Sequence, residues 1–135
     1  MAPIRVILVD DSPDITGLYR RLVDSEPDMC CVGTLGSATG LEQLARGSGA
    51  DVVVVDLSMP GPEPLEAIRA LVEQSPGCRV VAFSGYDDEQ TASAAYSAGA
   101  WGLVSKHDSP EALLVAIRRV AAGGVAFGRT QADTR

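Results

Sequence analysis

Acidic, hydroxyl and amine side chains follow several apolar runs of this sequence, at the point where each run ends. Asp10 and Asp11 follow the first run, and Asp56 follows four consecutive valines. Ser84 and Lys106 come after two later runs. Because the carboxyl ends of parallel strands open on one edge of a sheet, parallel strands would bring these side chains into one crevice.

Three carboxylates in one crevice repel one another unless a cation neutralises them. Mg²⁺ suits such a site, since it prefers oxygen and combines one or two carboxylates with water and phosphate oxygens. The set contains no thiolate or imidazole, which argues against zinc. Taken alone, Asp10 and Asp11 would more often cap a helix, and Asp56 would cap a turn as readily as it would form a site. The combination favours a magnesium site.

An aspartate beside a divalent cation and a lysine is able to attack phosphorus and form an acyl phosphate. The cation and Lys106 would neutralise charge on the phosphoryl oxygens, and Ser84 would donate a hydrogen bond to one of them. The sequence has no glycine-rich phosphate loop, which argues against a nucleotide site. One of these aspartates is therefore a candidate phosphoryl acceptor.

The elements that must position these residues alternate along the chain. Apolar, β-branched runs predict strands at 4–9, 29–35, 52–56, 79–83 and 101–105. Segments of helical spacing predict helices at about 13–24, 38–46, 65–72, 87–98 and 110–122. Such alternation indicates an α/β fold with a parallel sheet covered on both faces. The helix at 87–98 is small and polar, so we expect it to be held loosely.

Composition narrows the class of protein. The chain has 135 residues, 46% of them hydrophobic, which suits one globular domain. With 11 basic and 18 acidic residues its net charge is −7, which argues against direct nucleic-acid binding by this chain. No apolar run approaches the roughly 20 residues that span a bilayer, and no signal peptide is evident. We therefore expect a cytoplasmic protein without a membrane partner.

Four short motifs in this order resemble the receiver domains of two-component response regulators. They are Val9–Ser12, Val55–Gly61, Phe83–Gly85 and Ala98–Lys106. The resemblance covers about residues 4–122, and the stretch 105–124 is similar to the subfamily in which a receiver precedes a LuxR/NarL-type helix-turn-helix. It implies a receiver domain over residues 1–124 and a tail or truncated linker over 125–135.

The resemblance implies a flavodoxin-like (βα)₅ fold, doubly wound, with five parallel strands in the order 2-1-3-4-5. It implies that a histidine kinase transfers a phosphoryl group from its phosphohistidine to Asp56. Phosphorylation would then control an output, with transcription through a helix-turn-helix domain outside this chain as the expected case. DNA would be contacted only by that domain, and a homodimer would form on phosphorylation.

The resemblance also implies the roles of the site residues. Asp11 and Asp56 would bind Mg²⁺ directly, together with the main-chain carbonyl of Ser58, while Asp10 would act through water or hydrogen bonds. Two further residues would contact the phosphoryl group: Ser84 and Lys106.

Two positions depart from the family pattern. Leu103 stands where many receivers carry an aromatic residue that turns inward on activation, so that movement is not expected here. Pro64 replaces a common glycine, and with Pro62 it predicts a stiffer loop after Asp56.

Two other functions remain open at this point. The first is a phosphatase of the haloacid-dehalogenase type, although Ser58 occupies the position of its second acid. The second is a receiver-like module that signals without phosphate.

Overall fold

Five parallel strands form a single sheet in the order β2-β1-β3-β4-β5, which confirms the predicted fold. The computed structural model describes residues 2–59, 64–86 and 88–127. The strands are β1 (Ile4–Val9), β2 (Met29–Leu35), β3 (Val52–Asp56), β4 (Arg79–Ser84) and β5 (Gly102–Ser105). The helices are α1 (Pro13–Asp24), α2 (Leu41–Ser48), α3 (Pro64–Gln74), α4 (Glu89–Ala98) and α5 (Pro110–Ala121).

The four valines of β3 lie at the centre of the molecule and are all buried. Successive side chains of a strand point to opposite faces, so the two pairs of valines enter different cores. Val53 and Val55 pack with apolar residues of α2, α3 and α4. Val52 and Val54 pack with residues of α1 and α5. This burial on both faces holds the end of β3 fixed at the middle of the sheet edge.

Local capping explains where the first and fourth helices begin. The Ser12 hydroxyl accepts the N–H of Ile15 at 3.4 Å, and Pro13 occupies the first helical position. The Asp88 carboxylate accepts the N–H of Thr91 at 2.7 Å, which lowers the pKa of that carboxyl. These caps start α1 and α4 shortly after the carboxyl ends of β1 and β4.

Two predicted helix starts differ from the structure by more than one residue. The second helix begins at Leu41 and not at residue 38, because Gly40 adopts a left-handed conformation with φ of 83°. The fourth begins at Glu89, and the predicted first residue, Asp87, lies outside the described residues. Pro64 opens α3, whereas the loop residues 60–63, including Pro62, lie outside the described residues.

Arg79 joins β4 to the end of α5. Its guanidinium donates to the carbonyl oxygens of Val120 and Ala121, at 3.0 Å and 3.4 Å, and lies 4.5 Å from the centre of the Trp101 ring. A cation is favourable at a helix C-terminus and over an aromatic face. The chain therefore leaves α5 from a fixed point.

Residues 125–127, which we call the strap, run back along β5 after α5 ends. Val125 is buried, and Ala126 forms a parallel bridge with Gly102. The predicted start of a tail thus packs against the domain, while residues 128–135 lie outside the described residues. The boundary between receiver and tail stays a prediction.

The opposite edge of the sheet carries a bulge. In the pairing of β1 with β2, Val6 opposes Cys31 and Ile7 opposes Gly33, so Val32 has no partner on β1. A bulge of this kind twists an edge strand and interrupts its ladder.

Across the described residues, no helix has the length and apolar character that crossing a membrane requires.

Candidate functional site

One ammonium group lies between two buried carboxylates at the carboxyl edge of the sheet. Lys106 Nζ is 3.1 Å from Asp56 Oδ1 and 3.3 Å from Asp10 Oδ2. Asp56 ends β3 and is 1% exposed, Asp10 follows β1 and is 6% exposed, and Lys106 follows β5. The structure therefore brings together three residues that are far apart in sequence, as the strand ends predicted.

The Asp56 carboxylate has one fully engaged oxygen. Its Oδ1 accepts the Ser58 N–H at 3.0 Å and the Ser58 hydroxyl at 2.7 Å, in addition to its ion pair with Lys106. Within the described part of the chain, Oδ2 accepts no hydrogen bond. The sequence indicated only the Ser58 carbonyl as functional, and the Ser58 hydroxyl was missed. A hydroxyl two residues after an aspartate in a loop is the signal that points to it.

The Asp10 carboxylate divides its contacts between its two oxygens. Its Oδ1 accepts the Ser12 N–H at 2.9 Å, which fixes the side chain at the start of α1. Its Oδ2 is buried without a hydrogen bond and has only the ion pair with Lys106. Burial raises the pKa of Asp10, the Ser12 N–H opposes that rise, and the charge of Asp56 adds to it. The site thus holds more negative charge than its own groups satisfy.

Lys106 is positioned through its backbone and through an aromatic ring. Its N–H donates to the Ser84 carbonyl at 2.7 Å, and its ammonium lies 5.5 Å from the centre of the Phe83 ring. Tyr19 meets that ring edge-on at a centroid distance of 5.2 Å. Burial acts to lower the pKa of Lys106, but the two carboxylates outweigh it and the pKa is raised. Phe83 was also missed, because nothing in the sequence fixes which way its ring faces.

Ser84 ends β4 at the same edge and is buried. Its hydroxyl accepts the N–H of Tyr86 at 3.0 Å, and its carbonyl accepts the N–H of Lys106. The structure therefore places Ser84 beside the lysine, as expected, with its hydroxyl bonded to the following loop and not to a carboxylate.

Asp11 completes the acidic group from an exposed position. One oxygen from each of Asp10, Asp11 and Asp56 lies within 4.8 Å of the other two. A solvent-open cleft of about 360 Å³ runs alongside Asp10 and Asp11, between α1 and the end of β2. The site is thus open to small solutes from the α1 side.

The donor set fits a small divalent cation such as Mg²⁺. All three donors are carboxylate oxygens, which a hard cation prefers, and Asp10 also has a buried oxygen, Oδ2, without a hydrogen bond. The exposed position of Asp11 leaves room for the water molecules that Mg²⁺ retains. The residues present therefore fit the expected ion.

Comparison with known proteins agrees with this geometry. The family described as response regulator receiver domain matches residues 6–118. The nitrate/nitrite response regulator NarL of Escherichia coli K12 is 34% identical over 90% of this chain, and UhpA of Salmonella typhimurium is 36% identical over 90%. The chain covers 56% and 60% of those two relatives, and so spans little more than half of their length.

A solved structure gives the same result. The LuxR-family two-component response regulator from Aurantimonas sp. SI85-9A1 superposes with a TM-score of 0.87 at 34% identity, covering 93% of this chain and 89% of that one. The family match at residues 6–118 includes Asp10, Asp11, Asp56 and Lys106. The chain belongs to the family of response regulator receiver domains, the phosphoacceptor signalling domains of two-component systems.

Proposed function

We propose that Asp56 is the phosphoacceptor of this receiver domain and that a histidine kinase is its phosphodonor. The observation that carries the assignment is the asymmetry of the Asp56 carboxylate. Ser58 and Lys106 hold its Oδ1 and fix its orientation, while Oδ2 accepts no hydrogen bond among the described residues. Asp56 therefore keeps one oxygen ready for attack.

In the proposed transfer, Asp56 Oδ2 attacks phosphorus and forms a P–O bond. The P–N bond to the kinase imidazole breaks, and the imidazole nitrogen takes the electron pair. Lys106 is already at the site and would contact one equatorial oxygen of the phosphoryl group. Ser84 would contact another once its hydroxyl turns away from the loop. Such a transfer depends on positioning and charge neutralisation more than on acid–base chemistry.

We propose that Mg²⁺ is held by Asp11, Asp56 and the carbonyl of Ser58, with Asp10 acting through water or hydrogen bonds. Bound there, the cation would neutralise charge on the phosphoryl oxygens and on the carboxylates. The buried, unsatisfied Asp10 Oδ2 supports this arrangement, because a coordinated water could donate to it.

This chain covers 56% of NarL and 60% of UhpA, so those two relatives extend beyond the matched domain. We propose that phosphorylation controls a helix-turn-helix domain that follows this domain, and through it transcription in the cytoplasm. The domain would form a homodimer on phosphorylation and would contact DNA only through that output. It would assist only its own phosphorylation and dephosphorylation. Ser58 in the place of a second acid gives no support to a phosphatase acting on external esters.

Intact mass after incubation with acetyl phosphate and Mg²⁺ tests this assignment. We expect one added phosphoryl group on the wild-type chain, none on Asp56→Asn, and none when EDTA removes the cation. Asp14→Asn is the matched control, since Asp14 is an exposed carboxylate in the first turn of α1 and should leave labelling unchanged.

Labelling of Asp56→Asn at the wild-type level would reject the assignment. Hydrolysis of p-nitrophenyl phosphate over many turnovers would support the phosphatase instead. Labelling that persists in EDTA would reject the magnesium site alone.

A further inference from the structure

The strap is bound to β5 through its backbone and to α4 through a side chain. The Leu103 N–H donates to the Ala126 carbonyl at 3.0 Å, and the Ala126 N–H donates to the Trp101 carbonyl at 2.9 Å. The Phe127 ring meets Tyr96 of α4 edge-on at a centroid distance of 5.6 Å. The strap therefore contacts both β5 and α4.

Those two elements are the ones that adjoin the phosphoryl contacts of the proposed site. β5 leads directly into Lys106, and α4 follows the loop that begins at Ser84. The only residues of α4 that are buried are Ala95 and Ala98, so little apolar surface holds this helix to the sheet. A movement of the loop after Ser84 would displace α4 more readily than α5, which buries five residues.

We propose that the outer edge of β5 is a docking edge for the strap, and that phosphorylation of Asp56 releases the strap from it. This inference rests on the proposed function. Lys106 forms ion pairs with Asp10 and Asp56 in this structure, and the Ser84 hydroxyl accepts the N–H of Tyr86. A phosphoryl group on Asp56 would separate the lysine from the carboxylates and draw the Ser84 hydroxyl away from its loop. That loop precedes α4, so a change in the loop would move Tyr96 relative to Phe127.

The docking edge has no spare room, which supplies a variant that removes the strap without touching the site. A Cβ on Gly102 would lie 3.0 Å from the Ala126 Cβ and 3.1 Å from the Ala126 carbonyl oxygen. Gly102 lies within β5 and has no positive φ, so alanine fits its backbone and conflicts only with the strap. Gly102→Ala and Phe127→Ala should both displace the strap, the first through its backbone and the second through its ring.

Amide hydrogen exchange measured by NMR tests the release. In wild-type protein kept phosphorylated with acetyl phosphate and Mg²⁺, we expect the amides of Leu103 and Ala126 to exchange at least about tenfold faster than in the unphosphorylated protein. The amides of β3 should not change. Gly102→Ala and Phe127→Ala should show the fast exchange without phosphorylation.

Linkage supplies a second measurement. If phosphorylation weakens docking of the strap, then docking of the strap must disfavour the phosphorylated state. At a low acetyl phosphate concentration, Gly102→Ala and Phe127→Ala should both carry a larger phosphorylated fraction than the wild type. Val115→Ala is the control, since Val115 is exposed on α5 and belongs to neither core.

The two proposals fail in different ways. Unchanged or slower exchange at Ala126, in protein shown by mass to carry the phosphoryl group, would overturn the release and leave the phosphoacceptor assignment standing. A phosphorylated fraction in both strap variants equal to the wild type would overturn it too. If the wild type gains no phosphoryl group at all, both proposals fall together.

Discussion

At the scale of single residues, the site is built around a charge imbalance. Lys106 is shared by Asp10 and Asp56, so two carboxylates that are almost fully buried have one ammonium between them. Burial of the charge costs more free energy at Asp10 than at Asp56, because Asp10 Oδ2 lacks a hydrogen bond. Such an arrangement is unfavourable for the empty domain and favourable for one that holds a cation.

Asp10→Asn should stabilise the protein near pH 7 in EDTA by about 1 kcal/mol, the usual size of the gain when a strained functional charge is removed. The amide oxygen can still accept the Ser12 N–H. Burial raises the folded-state pKa of Asp10 above 3.8, so the protonated form favours folding. Its stabilising effect is present below the unfolded-state pKa and is lost as the pH rises through the folded-state pKa.

Urea unfolding across the pH range checks this prediction. The difference in the free energy of unfolding between Asp10→Asn and the wild type should narrow as the pH falls toward about 4, because Asp10 then becomes neutral as well. Asp14→Asn, on the exposed first turn of α1, should show no gain at either pH. A variant less stable than the wild type near pH 7 would show that the ion pair with Lys106 outweighs the burial of Asp10.

The residues that meet at the site follow from the sequence, because strand ends in a parallel sheet share an edge. The oxygen that each partner engages does not follow from it. Ser58 bonds Asp56 with both its N–H and its hydroxyl, and Phe83 faces Lys106 with its ring. Both depend on rotamers that only the packed structure selects.

At the scale of elements, strands were located more accurately than helix ends. Four of the five predicted strands begin where the structure has them, since β-branched runs buried on both faces leave little choice. The start of α2 was wrong because Gly40 takes a left-handed conformation that no spacing rule reveals. The strap was missed because three residues show no period, and its partners lie more than twenty residues earlier.

Two glycine-to-alanine changes should have opposite signs. Gly99 ends α4 with φ of 110°, and a Cβ there would lie 3.0 Å and 3.1 Å from the two γ carbons of Val72. Gly99→Ala should destabilise the domain by about 1–3 kcal/mol. Gly47 lies inside α2 with nothing within 4 Å of its missing Cβ, so Gly47→Ala should stabilise by about 0.5–1 kcal/mol.

Thermal unfolding of the two variants checks these signs, and each variant serves as the control for the other. A loss of stability in Gly47→Ala would contradict the helical placement of that residue. Wild-type stability in Gly99→Ala would show that Val72 moves aside and that α3 is not packed firmly against the end of α4.

At the scale of the whole molecule, cation binding and folding are linked. A ligand that binds only the folded state stabilises it by about 2.7 kcal/mol at a hundredfold excess over its Kd. Mg²⁺ should therefore raise the melting temperature of the wild type, and Asp11→Asn should lose most of that increase. Asp11 is exposed, so its substitution should cost little in the absence of the cation.

Melting curves in Mg²⁺ and in NaCl of equal ionic strength separate this linkage from general screening of the net charge of −7. An equal increase in NaCl, or a full increase in Asp11→Asn, would contradict the assignment of the acidic group as a magnesium site.

The two edge strands of the sheet, β2 and β5, differ in how they are protected from pairing with another chain. The bulge at Val32 is built into β2, whereas the border at β5 is covered, among the described residues, by Ala126, which pairs with Trp101 and Leu103. An open border offers unpaired N–H and C=O groups to any extended chain nearby, including another copy of the same protein. If phosphorylation releases the strap as proposed, these groups of β5 become available for pairing, so the phosphorylated protein should either acquire a replacement strand or self-associate as its concentration rises.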